Sequence, residues 1–265
     1  MITISSAQLD LWLAAFIFPA ARIFGLLASA PIYNNAALPV RARLIVGLAV
    51  TLAIAPLVPS PPTLLAGSWL GTLLIGQQML IGWLMGFALR LAFVTVDIAG
   101  ELIGLQMGLS FAVAYDPQNA AQTPVLTEFI GLFTALLFLA MNGHLMILHA
   151  LVESFRLLPI TLAPPQAVAL SDLLRWAAVI FSSGLLLALP IIAALLIANI
   201  SLGVLSRVAP ALNIFAVGFP VTLAVGFAVL MFSLPYFGTA MQKLFEQGFA
   251  AMETIVRHAA VPPPL

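Results

Sequence analysis

Long stretches without a charged residue are the feature that most restricts how this chain can fold. No Asp, Glu, Lys or Arg occurs over residues 44–89, 176–206 or 208–242. Each stretch is longer than the roughly 20 apolar residues that a helix needs to cross a lipid bilayer. Only 7% of all residues are charged, against about 25% in soluble proteins. The sequence therefore predicts an integral membrane protein whose spans are helices.

Charge balance, cysteine content and motif content exclude several classes of function. Nine Lys and Arg residues balance nine Asp and Glu residues, so the chain offers no basic surface to nucleic acid. It contains no cysteine, which excludes disulfides, thiolate metal sites and cysteine nucleophiles. His144 and His149 are five residues apart and do not line up on a helix as a metal pair would. Phosphate-binding and hydrolase motifs are missing. We therefore expect no enzyme, no catalytic residues, and neither a metal nor a cofactor.

Prolines and polar loops divide the chain into six predicted helices. A proline lacks the amide hydrogen and its ring clashes with the preceding turn, so Pro31 and Pro124 mark predicted helix boundaries. Pro190 and Pro220 lie inside the last two helices and predict kinks, and Ser171-Asp172 is a predicted cap of the fifth. The expected fold is all-α, a polytopic membrane protein of about six long, kinked helices arranged as hairpins, with an amphipathic tail over 238–258. The predicted helices span about residues 7–30, 44–57, 64–104, 125–152, 173–204 and 212–236.

Four of the charged residues inside these apolar helices are predicted to lie within the membrane. Arg22 lies in the middle of the first helix, and because a charge in hydrocarbon is costly, we expect it to be buried against protein or water. Arg90 and Asp97 are seven residues apart, on one face of a helix, and an ion pair between them is plausible. Asp97 and Glu101 are four apart, so their like charges are helix neighbours. The last three groups are candidates for a proton relay. The alternative is that they pair with one another or with a neighbouring subunit.

Glycines recur every fourth residue beside these acids, at Gly100, Gly104 and Gly108. Small residues at this spacing let a second helix approach closely. The run then becomes apolar and flexible and stops at Asp116-Pro117. Such a segment is expected where a chain lines or closes a passage; the alternative is a tightly packed helix end followed by a turn. The glycines predicted to pack closely are Gly82, Gly86, Gly100, Gly104 and Gly108.

Several short motifs occur along the chain in a fixed order. They are Pro31 and Pro39 followed by Arg41 and Arg43, Ala99-Gly100-Glu101, the block 104–111 (GLQMGLSF), Asp116-Pro117, Asn142-Gly143-His144, Ala188-Leu189-Pro190, Ala198-Asn199, Leu202-Gly203, a turn with Arg207, Pro210 and Asn213, and Gly218-Phe219-Pro220. Together they resemble the FliR family of flagellar type III export-gate proteins, which is related to the SctT, SpaR and YscT proteins of injectisomes. One departure is Ala211, where the family commonly has Gln.

The resemblance implies an architecture and a plug. Family members join copies of two smaller partners, FliP and FliQ, in a closed helical assembly around an export pore. Residues 1–170 would be the FliP-like part and residues 171–265 the FliQ-like hairpin with its amphipathic tail. A central loop of the family plugs the pore, with Met107 and Phe111 as its apolar contacts here. By position, the plug residues are Gln106, Met107, Gly108, Leu109, Ser110, Phe111 and Tyr115.

The resemblance also implies a function. The chain would be a core subunit of the flagellar export gate in the bacterial inner membrane, at the basal body, and would pass unfolded flagellar axial proteins. FlhB- and FlhA-like export components would be further partners. One alternative is the equivalent subunit of a virulence injectisome. A different class is a self-sufficient small-solute transporter, which would predict an inverted repeat and a site at the membrane midplane.

Overall fold

The computed structural model describes residues 6–35, 37–59, 67–109, 125–209 and 214–260. Within these ranges the chain is all-α and forms seven helices and no strand. Among the described residues, five helices are long and apolar enough to cross a membrane, or six spans are present if the bent pair Val125–Ala140 and Gly143–Leu157 counts as one. The predicted all-α, polytopic membrane fold is confirmed. The helices are α1 (Ser6–Ser29), α2 (Val40–Ile54), α3 (Trp69–Gln106), α4 (Val125–Ala140), α5 (Gly143–Leu157), α6 (Val168–Val208) and α7 (Ile214–Ala259), with a 3₁₀ turn (Ala55–Leu57) after α2.

The predicted fourth helix is in fact two helices. Asn142 adopts a left-handed backbone conformation with a φ of 58°, which interrupts the helix because a right-handed helix needs a negative φ. Asparagine tolerates this conformation better than most residues. The Asn142 carbonyl then accepts hydrogen bonds from the amides of Leu145 and Met146, at 2.9 and 3.1 Å. The prediction of one continuous helix over 125–152 is therefore wrong.

Helix α6 begins earlier than predicted. It starts at Val168, so Ser171 and Asp172 lie inside its first turns and do not cap it. The Ser171 hydroxyl donates to the Val168 carbonyl at 2.7 Å. Asp172 Oδ2 instead lies 2.5 Å from Nδ1 of His258. The predicted cap is therefore wrong.

Helix α7 continues where the sequence predicts a separate tail. It runs through Pro220 and Pro235 to Ala259, so the sixth predicted helix and the tail form one element. Burial alternates along this last part of α7. Phe237, Met241 and Met252 are buried, whereas Lys243 and Glu246 are exposed.

The helices form two compact units, and α3, α6 and α7 contribute to both. Unit 1 comprises Met1–Leu91, Asn142–Ala177 and Glu246–Leu265, and unit 2 comprises Ala92–Met141 and Ala178–Phe245. The proposed division into FliP-like and FliQ-like parts concerns likeness to other proteins and stays a prediction.

In unit 1, glycines bring α1 and α3 into backbone contact. A Cβ atom added at Gly82 would overlap the carbonyl oxygen of Arg22, and one added at Gly25 would overlap that of Met79. At Gly86 an added Cβ would lie 2.7 Å from the amide nitrogen of Ala30. Because each helix presents glycine to the backbone of the other, the two can approach more closely than larger residues allow.

This contact predicts a large difference between two substitutions in α3. We expect Gly82→Ala to destabilise the protein by about 1–3 kcal/mol, the usual cost of overpacking, because the new methyl group meets backbone that cannot rotate away. Gly76 lies in the same helix, and an added Cβ there meets nothing within 4 Å. Gly76→Ala should be neutral or stabilising by up to about 1 kcal/mol. Thermal unfolding of both variants in mild detergent checks this; equal midpoints would contradict it.

Unit 2 is built around three phenylalanines from different helices. Phe93 of α3, Phe138 of α4 and Phe245 of α7 lie with their ring centroids 5.1–5.4 Å apart, two of the pairs edge to face. This geometry is favourable for aromatic rings. Gly100 of α3 faces the backbone of α4, since an added Cβ would lie 2.9 Å from Thr127 Cα. These contacts fix the part of α3 that leads to the candidate plug.

Candidate functional site

The candidate plug begins at the C-terminus of α3, in unit 2. Gly108 has a φ of 81°, a conformation that glycine adopts without steric cost. Its amide donates to the Leu105 carbonyl at 3.1 Å, and the Leu109 amide donates to the Gly104 carbonyl at 3.0 Å. This pair of hydrogen bonds is a Schellman motif, which satisfies the last carbonyls of the helix. Gly108 therefore ends the helix and sets the direction in which the segment leaves it.

Met107 fixes the start of the segment to α7. Its side chain is fully buried. A Cβ added at Gly226 would lie 2.7 Å from both Cγ and Cε of Met107, so the absence of a side chain at Gly226 makes room for the thioether. Thr222, one turn earlier in α7, donates its hydroxyl to the Met107 carbonyl at 3.3 Å. The first residues of the candidate plug are thus anchored in unit 2. Ser110, Phe111 and Tyr115 lie outside the described residues.

The left-handed conformation at Gly108 leads to a specific prediction. We expect Gly108→Ala to destabilise the protein by about 1–2 kcal/mol, the cost of placing a Cβ in this conformation. Gly108→Asn should cost less, because asparagine visits this region more readily. Thermal midpoints of the two variants in detergent provide the test. An asparagine variant as unstable as the alanine variant would argue against the conformation.

An apolar groove of about 480 Å³ lies in unit 2 beside the same segment. Its lining includes Leu109 and Val125, the described residues that flank positions 110–124. Leu109 of the candidate plug and Val125 at the start of α4 therefore border one apolar surface. The remaining lining residues are Leu126, Phe129, Phe227, Leu230, Met231 and Leu234.

Arg22 of α1 is fully buried in unit 1 and is surrounded by polar groups. Its Nε donates to Gln78 Oε1 of α3 at 2.8 Å. Nη1 donates to the Ser154 carbonyl and hydroxyl at 2.9 and 3.1 Å, and Nη2 donates to the Leu158 carbonyl at 2.9 Å. The guanidinium carbon lies 4.2 Å from the ring centroid of Phe155, a cation–π contact.

The acceptors around Arg22 explain how a cation can be buried there. Two of them are backbone carbonyls at the C-terminal end of α5, where the helix dipole is negative. The Ser154 carbonyl also accepts from the Leu158 amide at 2.9 Å, whereas Leu158 follows the last residue of the helix. Arg22 therefore caps α5 while it joins α1 to α3. The sequence identified Arg22 but not Ser154, Phe155 or Leu158, since a neutral carbonyl acceptor leaves no signal in the residue type.

The other charged candidates are more exposed. Arg90 and Glu101 are exposed and Asp97 is half-buried. An added Cβ at Gly131 of α4 would lie 3.7 Å from Asp97 Oδ1, so this carboxylate borders α4 within unit 2. A proton relay through these groups stays a prediction. Arg207 is exposed near the end of α6, and Pro210 and Asn213 lie outside the described residues. No group of three or more His, Asp or Glu residues in the described ranges is arranged to hold a metal ion.

Comparisons with known proteins cover nearly the whole chain. The sequence model of the family described as "Bacterial export proteins, family 1" matches residues 13–248. The flagellar biosynthetic protein FliR of Pectobacterium carotovorum is 41% identical over 97% of this chain and 98% of its own length. The FliR protein of Escherichia coli K12 is 39% identical over the same shares, and that of Bacillus subtilis is 27% identical over 91% of this chain and 94% of its own length. The chain therefore belongs to the FliR family of bacterial flagellar export proteins.

Proposed function

We propose that this protein is a non-enzymatic core subunit of the flagellar type III protein export gate. With FliP-like and FliQ-like subunits it forms the channel through which unfolded flagellar axial proteins cross the inner membrane at the basal body. FlhB- and FlhA-like components are its further partners. The observation that carries this proposal is the match to relatives named as flagellar biosynthetic proteins over nearly their full length.

The distribution of buried surface supports a role as a subunit of a larger assembly. In the most apolar part of α1 and of α3, 56% of the residues are buried. The corresponding shares are 22% in α6, 17% in α7 and 17% in the α2 region. These three helices therefore present most of their apolar surface to lipid or to other subunits. Helices α6 and α7 make up nearly all of residues 171–265, the part proposed to be a FliQ-like hairpin.

We assign the seal of the channel to Gln106–Tyr115. Flexible apolar side chains can close a passage to ions and still yield to an unfolded chain, because methionine and similar residues adapt their shape. Met107 is the fixed end of this seal, since its side chain is buried against Gly226. The residues after Leu109 are then the part that closes the pore.

Affinity purification tests the proposed assembly. The tagged chain is extracted from its own host in mild detergent and the proteins that remain bound are identified by mass spectrometry. We expect FliP-like and FliQ-like chains in one stable particle. Recovery of a lone monomer or a homodimer would contradict the proposal and favour a self-sufficient transporter. Recovery of injectisome components would place the chain in that related machine.

A further inference from the structure

The connection between α1 and α2, in unit 1, contains a strained residue. Ile32 has a φ of 68°, which a β-branched residue rarely adopts because its side chain crowds the backbone there. The amide of Tyr33 donates to the Pro31 carbonyl at 2.8 Å, so Ile32 is the central residue of a γ-turn of the rare form with a positive φ. A conformation of this kind persists only where the surrounding contacts hold it in place.

Arg43, in the first turn of α2, binds the residues that follow Ile32. Its Nη1 donates to Asn34 Oδ1 at 3.1 Å. Its Nη2 lies 3.5 Å from the Asn35 carbonyl oxygen, which is long for a hydrogen bond. Nε of Arg43 is buried and has no hydrogen-bond partner among the described residues. Since an unpaired buried donor is costly, Arg43 holds the turn while its own hydrogen bonding stays incomplete.

The packing of α2 on α1 offers little resistance to a change of angle. The buried residues of α2 are Gly47, Thr51 and Ile54, which form a single stripe. A Cβ added at Gly47 would overlap the ring of Phe24, so this ring lies against the backbone of α2. The Thr51 hydroxyl donates to the Gly47 carbonyl of its own helix at 2.7 Å. Interlocking side chains normally fix the crossing angle of two helices, and a ring over a glycine provides no such interlock.

We infer that this connection is a joint with two positions, in which Arg43 holds Ile32 in its strained turn and thereby fixes the angle of α2 on α1. When the contacts of Arg43 are lost, Ile32 returns to a negative φ and α2 turns about Gly47 to its second position. Strain retained in a native fold is typical of such switch regions. The angle of α2 decides where its exposed apolar side chains lie, among them Ile45 and Leu52. The inference does not depend on the proposed function.

Distance measurements between two spin labels test the joint. The chain contains no cysteine, so labels attached through Ala28→Cys in α1 and Leu52→Cys in α2, both at exposed positions, report this pair of helices alone. We expect one dominant distance in the otherwise unchanged protein. Arg43→Gln should raise the share of a second distance about tenfold, the factor expected when one hydrogen bond to a charged group is lost. Arg41→Gln is the matched control, since Arg41 is exposed in the same helical turn, and should leave the distances unchanged.

Two truncations at position 32 test the strain itself. Ile32→Gly and Ile32→Ala both remove the branched side chain, but only glycine adopts a positive φ without steric cost. In the Arg43→Gln background, the glycine variant should restore the single distance, whereas the alanine variant should retain the second one. The thermal midpoint of Ile32→Gly should also exceed that of Ile32→Ala by about 2 °C or more. This is the reverse of the usual order, in which alanine stabilises relative to glycine.

Two results would overturn the inference. One is an unchanged single distance in Arg43→Gln protein that elutes as a monodisperse peak in detergent. The other is an Ile32→Ala variant as stable as Ile32→Gly, because the turn would then hold no strain. Asn34→Leu removes the acceptor of Arg43 Nη1 instead of the donor and should raise the second distance in the same way. It replaces Arg43→Gln as the deciding variant if the latter does not fold.

Discussion

Replacement of Arg22 by methionine is expected to destabilise the protein by about 2 kcal/mol or more, because it leaves at least two buried acceptors without their donor. Methionine fills much of the same volume but donates no hydrogen bond. Gln78 Oε1 and the Leu158 carbonyl then lose the donor that reaches them in the buried site. A buried acceptor without a partner costs about 1–3 kcal/mol. Loss of the stacking on Phe155 adds to this.

The relief of a desolvated charge opposes these losses but does not exceed them. The guanidinium makes four hydrogen bonds within the site, and hydrogen bonds to charged groups contribute about 1.5–3 kcal/mol each. Arg22→Lys keeps the charge, but its single nitrogen cannot reach acceptors on α3 and at both Ser154 and Leu158 together. We therefore expect the lysine variant to be destabilised as well.

Arg156 offers a matched control in the same unit. Its side chain is 70% exposed and its contact with Glu153 is 3.5 Å long, so Arg156→Met should change stability by less than about 1 kcal/mol. The measurement is the temperature at which each fluorescently tagged variant loses its monodisperse peak in mild detergent. An Arg22→Met variant as stable as the parent would mean that the guanidinium is not a structural cap. Arg22 would then be tested for an effect on export.

The Arg22 site shows what the sequence can and cannot predict. A charge in the middle of an apolar helix must be buried against polar groups, so the burial of Arg22 follows from its position alone. Its partners do not, because Gln78 and Ser154 lie 56 and 132 residues away along the chain and are neutral. The membrane class and the all-α fold were predictable because a long uncharged stretch in lipid folds as a helix, which satisfies its own backbone hydrogen bonds.

Helix boundaries were predictable only where local chemistry decided them. Asn142 breaks the fourth predicted helix through its left-handed backbone conformation. The sequence does carry a signal for this break, because Asn-Gly is a common turn pair. The change to a less apolar, amphipathic pattern over 238–258 suggested an end to the sixth helix, but α7 continues through it and through Pro235. Packing of Phe237 and Met241 in unit 2 outweighs the cost of the proline. Gly108 was predicted as a packing glycine from its spacing, and its left-handed φ gives it the further role of ending α3.

Shortening the proposed seal is the second change with a large expected effect. Deletion of residues 110–113 leaves the Schellman motif at Gly108 and Leu109 in place, so α3 should still end correctly and the assembly should still form. We expect ion leak through the purified, reconstituted assembly to rise about tenfold or more. A change of only about 1.4 kcal/mol between closed and open states suffices for a factor of ten.

Displacement of Met107 from its site against α7 should also raise the ion leak. Gly226→Leu places a side chain where Met107 lies, which forces the thioether out of its site and removes the fixed end of the seal. Gly238→Leu is the matched control in the same helix, since an added Cβ there meets nothing within 4 Å. Ion flux into vesicles that contain each assembled variant is the measurement. A leak unchanged by both the deletion and Gly226→Leu, in assemblies of normal composition, would show that Gln106–Tyr115 does not seal the channel. If only the deletion raises the leak, Gln106–Tyr115 still seals the channel but Met107 does not anchor it.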